Sequence, residues 1–482
     1  MSKAPERRSE QLVHRLAAGL GAVVLETHIS WILLAPRRAY KIKKPVRTGF
    51  LDYSGLAERL RCCREEVRLN ARFAPGLYLG VAPITGTVAA PVLDGRGPAI
   101  EYAVAMHRFP EGALFSERLA SGQLQPADVD DLGDWMANIH SGAAVAPPAS
   151  GYGSSHRKRA VVQDLLQALG RQAGGRALHA WLDAEQAKLA PSWDRRAATG
   201  HVRECHGDLH LANILRLPGG VAAFDAIEFD PALRCIDVLD DAAFPVMDLA
   251  AHGRWDLAFR LLNRWLDGTG EHEALPLLRH AAVQRALVRA SVELMRHPGS
   301  PGACRTYLDN AREWTRPARM QLTIMHGLPG SGKTFVSQQM LEHERAIRLR
   351  SDVERKRLFG IAPQASSAAG GLDIYTPAAT RRTYQRLLDL ARIALDAGLP
   401  VILDAAFLRR DERAQARSLA RSMGIPFSIV SCDAPADLLR ARLGARHGDA
   451  SEADAHTLSQ LQACEEPLDI AEMPLCRQVH TA

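Results

Sequence analysis

The sequence predicts a two-domain chain, an α+β domain followed by an α/β domain built on a parallel sheet. Three observations carry this expectation. The 482 residues suffice for two large domains or three of ordinary size. A polar loop, His206-Gly207-Asp208-Leu209-His210-Leu211-Ala212-Asn213, follows a run of short strands near the N-terminus and sits among helical sequence. A glycine-rich loop, Gly327 to Thr334, lies between a short apolar strand and a helix, after a change of composition near residue 320.

Composition narrows the class. Hydrophobic content of 47% and charged content of 24% are ordinary for a soluble globular protein. A net charge of +6 is small for this length and does not argue for nucleic acid as a partner. No apolar run approaches the roughly 18 residues of a transmembrane helix. The first residues lead into no long apolar core, so no secretory signal is expected. Eight cysteines form no C-x-x-C pair, which removes the usual zinc and redox signatures and favours reduced thiols in a cytoplasmic protein.

In chain order, 22–27, 31–35 and 39–44 read as strands, the last stopped by Pro45. Period-two alternation puts Lys41 and Lys43 on one face and Lys44 on the other. Leu56 to Phe73 reads as a helix carrying Glu65 and Glu66. Residues 77–82, 88–92 and 100–106 complete an antiparallel sheet, which runs into His107-Arg108-Phe109-Pro110. From Leu114 to about Arg195 the pattern is helical, with a Gly/Ser/Pro-rich break at 141–155, and His140 is expected to be structural. After the polar loop comes Asp225, then Asp237, Asp240 and Asp241, of which Asp237 is expected to support the loop. Helices continue to about Arg316.

The spacing of Asp208 and Asn213, with Asp225 following, matches the kinase arrangement of a catalytic-loop Asp, a metal-binding Asn and a second metal-binding Asp. The stretch resembles the H-G-D-[LI]-H-x-x-N loop of the aminoglycoside phosphotransferase and choline kinase group. That resemblance implies a protein-kinase-like fold for residues 1–315, with an N-lobe to about 106 and a C-lobe from about 107. It implies Asp208 as the base for an acceptor hydroxyl, and Asn213 and Asp225 as Mg²⁺ ligands. It also implies a strand lysine toward the ATP phosphates, Lys41 with Lys43 close behind, paired with Glu66, and an adenine site at the hinge 107–110. Asp225-Ala226-Ile227 stands where protein kinases have D-F-G, which argues against a phosphorylation-switched activation loop.

The second motif, Gly327-Leu328-Pro329-Gly330-Ser331-Gly332-Lys333-Thr334, fits G-x-x-x-x-G-K-[ST] in full and has the required strand-loop-helix context. Glycines let backbone N–H groups turn toward phosphate, and the helix N-terminus adds partial positive charge. Lys333 is expected on the β- and γ-phosphates and the Thr334 hydroxyl on Mg²⁺. Strands at 346–352, 400–405 and 427–432 and a helix at 435–446 follow. This half, residues 320–482, resembles P-loop kinases of the gluconate kinase and polynucleotide 5′-kinase group. The resemblance implies Asp352 at the acceptor hydroxyl, Arg355 on acceptor phosphate or carboxylate, Asp404 acting on Mg²⁺ through water, and Arg442 and Arg446 as lid arginines. Three functions stay open: two kinases acting on small-molecule hydroxyls, one kinase regulated by a nucleotide-binding module, or a nucleic-acid end kinase. The pairing of domains resembles bacterial fusions of a phosphotransferase with an ATP-binding domain. Oligomeric state is not legible.

Overall fold

A computed structural model describes residues 4–47, 51–172, 175–297, 300–363, 365, 374–444 and 455–481. Helix α1 (Ala4–Leu20) precedes strands β1 (Val23–Glu26), β2 (Ser30–Leu34) and β3 (Arg38–Lys43). Helix α2 (Leu56–Phe73), β4 (Tyr78–Gly86), β5 (Pro91–Leu93) and β6 (Glu101–His107) complete the first lobe. Its six strands run in the order β1-β2-β3-β6-β4-β5, and every pairing is antiparallel. Helix α2 forms because Cys62, Cys63, Glu66, Leu69, Asn70 and Phe73 recur at three- and four-residue spacing and make one buried stripe. Arg59 ties that helix to the sheet through the buried Glu101 carboxylate, 2.8 Å away.

The second lobe is helical. It holds α3 (Phe115–Ala120), α4 (Pro126–Gly142), α5 (Ser155–Leu169), α6 (Arg176–Ala198), α7 (Pro231–Arg234), α8 (Val238–Ala251), α9 (Trp255–Thr269), α10 (Leu278–Arg296) and α11 (Arg305–Thr315). Two small antiparallel pairs interrupt it: β7 (Val202–Glu204) with β10 (Cys235–Asp237), and the hairpin β8 (Ile214–Leu217) with β9 (Gly220–Ala223). The polar loop lies between β7 and β8, and Asp225 lies just past β9.

The last part alternates β11 (Leu322–His326), α12 (Lys333–Glu344), β12 (Ile347–Arg350), α13 (Ser351–Leu358), α14 (Pro377–Asp396), β13 (Val401–Asp404), α15 (Arg410–Ser422), β14 (Phe427–Asp433), α16 (Ala436–Gly444), α17 (Ala455–Ala463) and β15 (Cys476–His480). The five strands are all parallel, in the order β12-β13-β11-β14-β15. All five residues of β11 are buried, the signature of a central strand covered on both faces.

The two parts share a buried seam along α9. Asn263, 2% exposed, donates to the Ala346 carbonyl at 2.9 Å and accepts the Arg348 N–H at 2.7 Å. Arg260 reaches Glu342 of α12 at 2.8 Å, and Arg357 of α13 donates to the Asp267 carbonyl at 2.6 Å. Among the described residues no helix is long and apolar enough to cross a membrane.

Two elements depart from the sequence expectation. Helix α1 and strand β15 were not anticipated; the first buries Leu12, Val13 and Leu16 against the outer strands of the first lobe, and the second extends the parallel sheet at its edge.

Candidate functional sites

The first site is assembled from β3, α2, the polar loop and the turn after β9. Lys41 Nζ donates to Glu66 Oε1 at 2.9 Å and also pairs with the Asp225 carboxylate. Glu66 is fully buried. Burial alone would raise its pKa, but Lys41 and Lys43 outweigh burial and bring it down to about 2. Asp225 has a left-handed backbone, φ 66°, unusual for a non-glycine residue. Its N–H donates to the Tyr78 hydroxyl at 3.2 Å, and the next N–H donates to Asn70 Oδ1 at 3.1 Å. The strained turn leaves the Asp225 side chain 43% exposed beside Lys41.

Lys43 departs from expectation. It lies one step further along the same face, runs beneath α2, and its Nζ donates to Glu66 Oε2 at 2.6 Å and to the Glu228 carboxylate. Tyr53 donates to the same Glu228 carboxylate. At 1% exposure Lys43 does not reach the cleft, so the phosphate-contact expectation narrows to Lys41.

In the polar loop, His206 is buried and its Nδ1 accepts the Asp208 N–H at 3.3 Å, so its Nε2–H donates to the Phe224 carbonyl at 3.0 Å. Burial holds its pKa below the usual histidine value. Gly207 has φ 86°, and a Cβ there would meet the Leu233 carbonyl oxygen at 2.8 Å, so the turn requires glycine. His210 Nδ1 accepts the Ala212 N–H at 3.2 Å, which points its Nε2–H at the Asp208 carboxylate 3.5 Å away. Burial would raise the Asp208 pKa, but His210, Arg289 and His206 outweigh it and hold the carboxyl well below its usual range. Asn213 Nδ2 donates to the Asp208 carbonyl at 2.9 Å, which leaves its amide oxygen available.

Asp241, not Asp237, supports this loop. It accepts the N–H groups of His206 at 3.1 Å and Gly207 at 2.9 Å, and His140 Nε2 at 3.2 Å. Trp265 donates to His140 Nδ1 at 2.9 Å, so His140 is the structural residue expected. Burial would raise the Asp241 pKa, but the His140 hydrogen bond and nearby histidines bring it down to about 2. Asp237 instead starts α8 and binds Arg196 at 2.6 Å, because one turn of helix separates it from the loop.

The second site lies in a cavity of about 1530 Å³ lined by Lys333, Thr334, Asp352, Arg355, Asp404 and Arg442, together with Pro329, Gly330 and Gly332. The loop needs its glycines: Gly327 has φ 130°, and a Cβ there would meet the Cys432 carbonyl oxygen at 2.3 Å. Lys333 Nζ donates to the carbonyls of Gly327 and Leu328, both at 2.8 Å. The Ser331 hydroxyl is buried. Asp404, at the end of β13, accepts from Ser337 Oγ at 3.1 Å. Asp352 lies in the first turn of α13. Arg355 donates to the Ile374 carbonyl at 3.1 Å and Thr380 Oγ1 at 3.2 Å, and its guanidinium stands 5.0 Å from the Tyr375 ring centre. Arg442 rests on the loop itself, donating to the Gly330 carbonyl at 3.2 Å and to Thr481 at 2.9 Å. Arg446 lies outside the described residues.

Carboxylate and amide oxygens at Asp225 and Asn213, and a hydroxyl with a buried carboxylate at Thr334 and Asp404, are the hard oxygen donors that Mg²⁺ takes alongside phosphate and water. Sequence reasoning named Asp241 beside Asp237 and Asp240 but preferred Asp237, and it missed Tyr53 and the role of Glu228. The polar context of Glu228, three residues after Asp225 and opposite a lysine-rich strand, was the one available signal.

Comparison with known proteins agrees with this division. Residues 60–225 match the phosphotransferase enzyme family, and residues 322–468 match an AAA domain family. Uncharacterized proteins of Mycobacterium tuberculosis and Mycobacterium bovis are each 30% identical over 453 residues, spanning 91% of this chain and 89% of theirs. Among solved structures, a choline/ethanolamine kinase family protein from Mesorhizobium loti is similar at 15% identity, over 65% of this chain and 94% of its own, with a TM-score of 0.38. A gluconokinase from Sinorhizobium meliloti is similar at 20% identity, over 35% of this chain and 85% of its own, with a TM-score of 0.24.

Proposed function

The chain belongs to the family of these full-length mycobacterial proteins and is a phosphotransferase enzyme, and we propose that each of its two domains transfers the γ-phosphate of ATP to a hydroxyl of a small molecule. The observation that carries the reading is the convergence of Lys41, Glu66 and Asp225, from three separate elements, beside the loop that holds Asp208 and Asn213. Phosphoryl transfer depends on positioning and charge more than on covalent help. In the first domain Lys41 steers the phosphates, kept in place by Glu66. Asp208, held as a carboxylate, takes the proton of the acceptor hydroxyl as the oxygen attacks phosphorus. Mg²⁺ held by Asn213 and Asp225 supplies charge neutralisation when bound. In the second domain the 327–334 loop and Lys333 cradle the phosphates, Thr334 and Asp404 hold the metal, Asp352 meets the acceptor hydroxyl, and Arg355 and Arg442 face the cavity with them.

One observation favours a second reading. Helices α12 and α13, which bear the P-loop lysine and Asp352, dock on α9 of the first domain, so nucleotide in the second site could bias the first. The cytoplasm is the proposed compartment, in keeping with eight cysteines that form no disulfide. Equilibrium binding of a non-hydrolysable ATP analogue with Mg²⁺ tests both nucleotide sites. Two equivalents are expected for the wild type and one each for Lys41→Met and Lys333→Ala. A single equivalent in the wild type contradicts the two-site reading.

A further inference from the structure

Strand β15 ends against the phosphate loop of the second domain, and the residue that follows it, Thr481, is bonded to that loop. The Thr481 N–H donates to the Asp433 carbonyl at 3.1 Å, which carries the β14–β15 ladder one residue further and fixes where the side chain stands. Its hydroxyl lies 3.0 Å from the Ser331 carbonyl oxygen and 2.9 Å from Arg442 Nη1. An arginine only donates, so the hydroxyl accepts from Arg442 and gives its one proton to Ser331. The same Arg442 nitrogen donates to the Gly330 carbonyl at 3.2 Å.

Two consecutive loop carbonyls, those of Gly330 and Ser331, are therefore held from outside the loop. The restraint matters because Gly330 and Gly332 both have φ 84°, and without a Cβ at either the peptides around Ser331 meet little steric resistance to rotation. A planar trans peptide points its N–H opposite to its C=O. Holding the Ser331 carbonyl on Thr481 thus aims the Gly332 N–H the other way, and among the described residues no acceptor takes that N–H. Loop and threonine are also in close contact, since a Cβ on Gly332 would meet the Thr481 methyl at 2.8 Å.

We propose that Thr481 is a positioning residue of the second phosphate site: its hydroxyl pins the Ser331–Gly332 peptide with the N–H turned toward phosphate and fixes Arg442 beside it. The inference rests on the nucleotide reading of the 327–334 loop given above. Thr481 acts through Gly332 and Arg442, both of which line the cavity of that site.

The test uses the full chain with Lys41→Met as the parent, which leaves nucleotide binding to the second site, and measures equilibrium binding of a non-hydrolysable ATP analogue with Mg²⁺. Thr481→Val keeps the shape and the methyl contact but removes the hydroxyl, which strands the Ser331 carbonyl and takes one acceptor from Arg442. Its Kd for the analogue is expected to rise roughly tenfold or more. Thr481→Ser restores the hydroxyl and should bind within twofold of the parent. Melting of the nucleotide-free chain should stay within about 4 °C of the parent in both variants, which separates a lost latch from a damaged domain. An unchanged Kd in Thr481→Val, or a Thr481→Ser chain as weak as Thr481→Val, overturns the inference while leaving the nucleotide site intact. A Thr481→Val chain that melts earlier than that, or does not fold, shows a structural role and overturns it as well. Absence of binding by the Lys41→Met parent overturns the nucleotide reading of this domain and the inference with it.

Discussion

Replacing Lys43 by Met is expected to loosen the first lobe, although Lys43 reaches no part of the cleft. Lys43 is 1% exposed and bridges Glu66, which is fully buried, and Glu228, which is 4% exposed. The substitution keeps most of the side-chain volume, so little of its effect comes from a cavity. It leaves Glu228 with Tyr53 alone and Glu66 with Lys41 alone. Removing one partner of a buried ion pair costs about 3–5 kcal/mol, because a buried charge is left uncompensated. At about 1.4 kcal/mol per factor of ten, the lower figure is a loss of roughly a hundredfold in local opening equilibrium. Hydrogen exchange at the amides of β3 and α2 reads this directly, without assuming that a two-domain chain unfolds in one step. Adding Glu228→Gln removes the stranded charge and should recover part of the loss, with a coupling of about 1–3 kcal/mol. Exchange in Lys43→Met within threefold of the wild type would refute the argument that this bridge holds β3, α2 and the 225–228 segment together.

Three further outcomes follow from the same geometry. Glu66 and Asp241 have folded pKa values near 2, below the ordinary carboxylate range, so their contribution is full above about pH 5 and fades as pH falls toward 2. Burial brings His272 down to about 4, so it also opposes protonation, and loss of stability should begin near pH 6.5; thermal melts across pH 3–8 check the direction. Asn263→Ala removes both hydrogen bonds to β12 and its approach, leaving a buried carbonyl and a buried N–H unpaired, at a cost of about 1–3 kcal/mol each before any rearrangement; faster limited proteolysis of the second domain is the expected readout. Gly327→Ala places a methyl against the Cys432 carbonyl and should abolish nucleotide binding at the second site while sparing the Asp208-dependent reaction.

Much of the site was legible because short motifs encode it locally. The 206–213 loop and the 327–334 loop each concentrate their polar groups and glycines in eight residues, and turn chemistry constrains them strongly. Strands β2, β3, β6 and β11 were legible from β-branched and apolar runs bounded by turn residues. What sequence did not reveal depends on long-range packing. Asp237 and Asp241 sit in the same acidic segment, and only the entry angle of α8 decides which carboxylate faces the loop. Lys41 and Lys43 share a strand face, and their roles separate only when Glu228 returns beneath α2. Strand β15 is short, with no fully buried residue, so its periodicity is weak until β14 supplies a partner. The seam along α9 was likewise invisible, since Asn263 in a helix looks like any solvated amide.

The most direct test of the central claim is mass spectrometry of phosphorylated products formed from labelled ATP, Mg²⁺ and a metabolite extract by the wild type, Asp208→Asn and Lys333→Ala in parallel. Two independent active sites predict that each variant loses a different product and keeps the other. If Lys333→Ala loses no product of its own and only alters the yield or ATP dependence of the Asp208-dependent product, the second domain is regulatory, and the claim of two phosphotransferase sites is wrong.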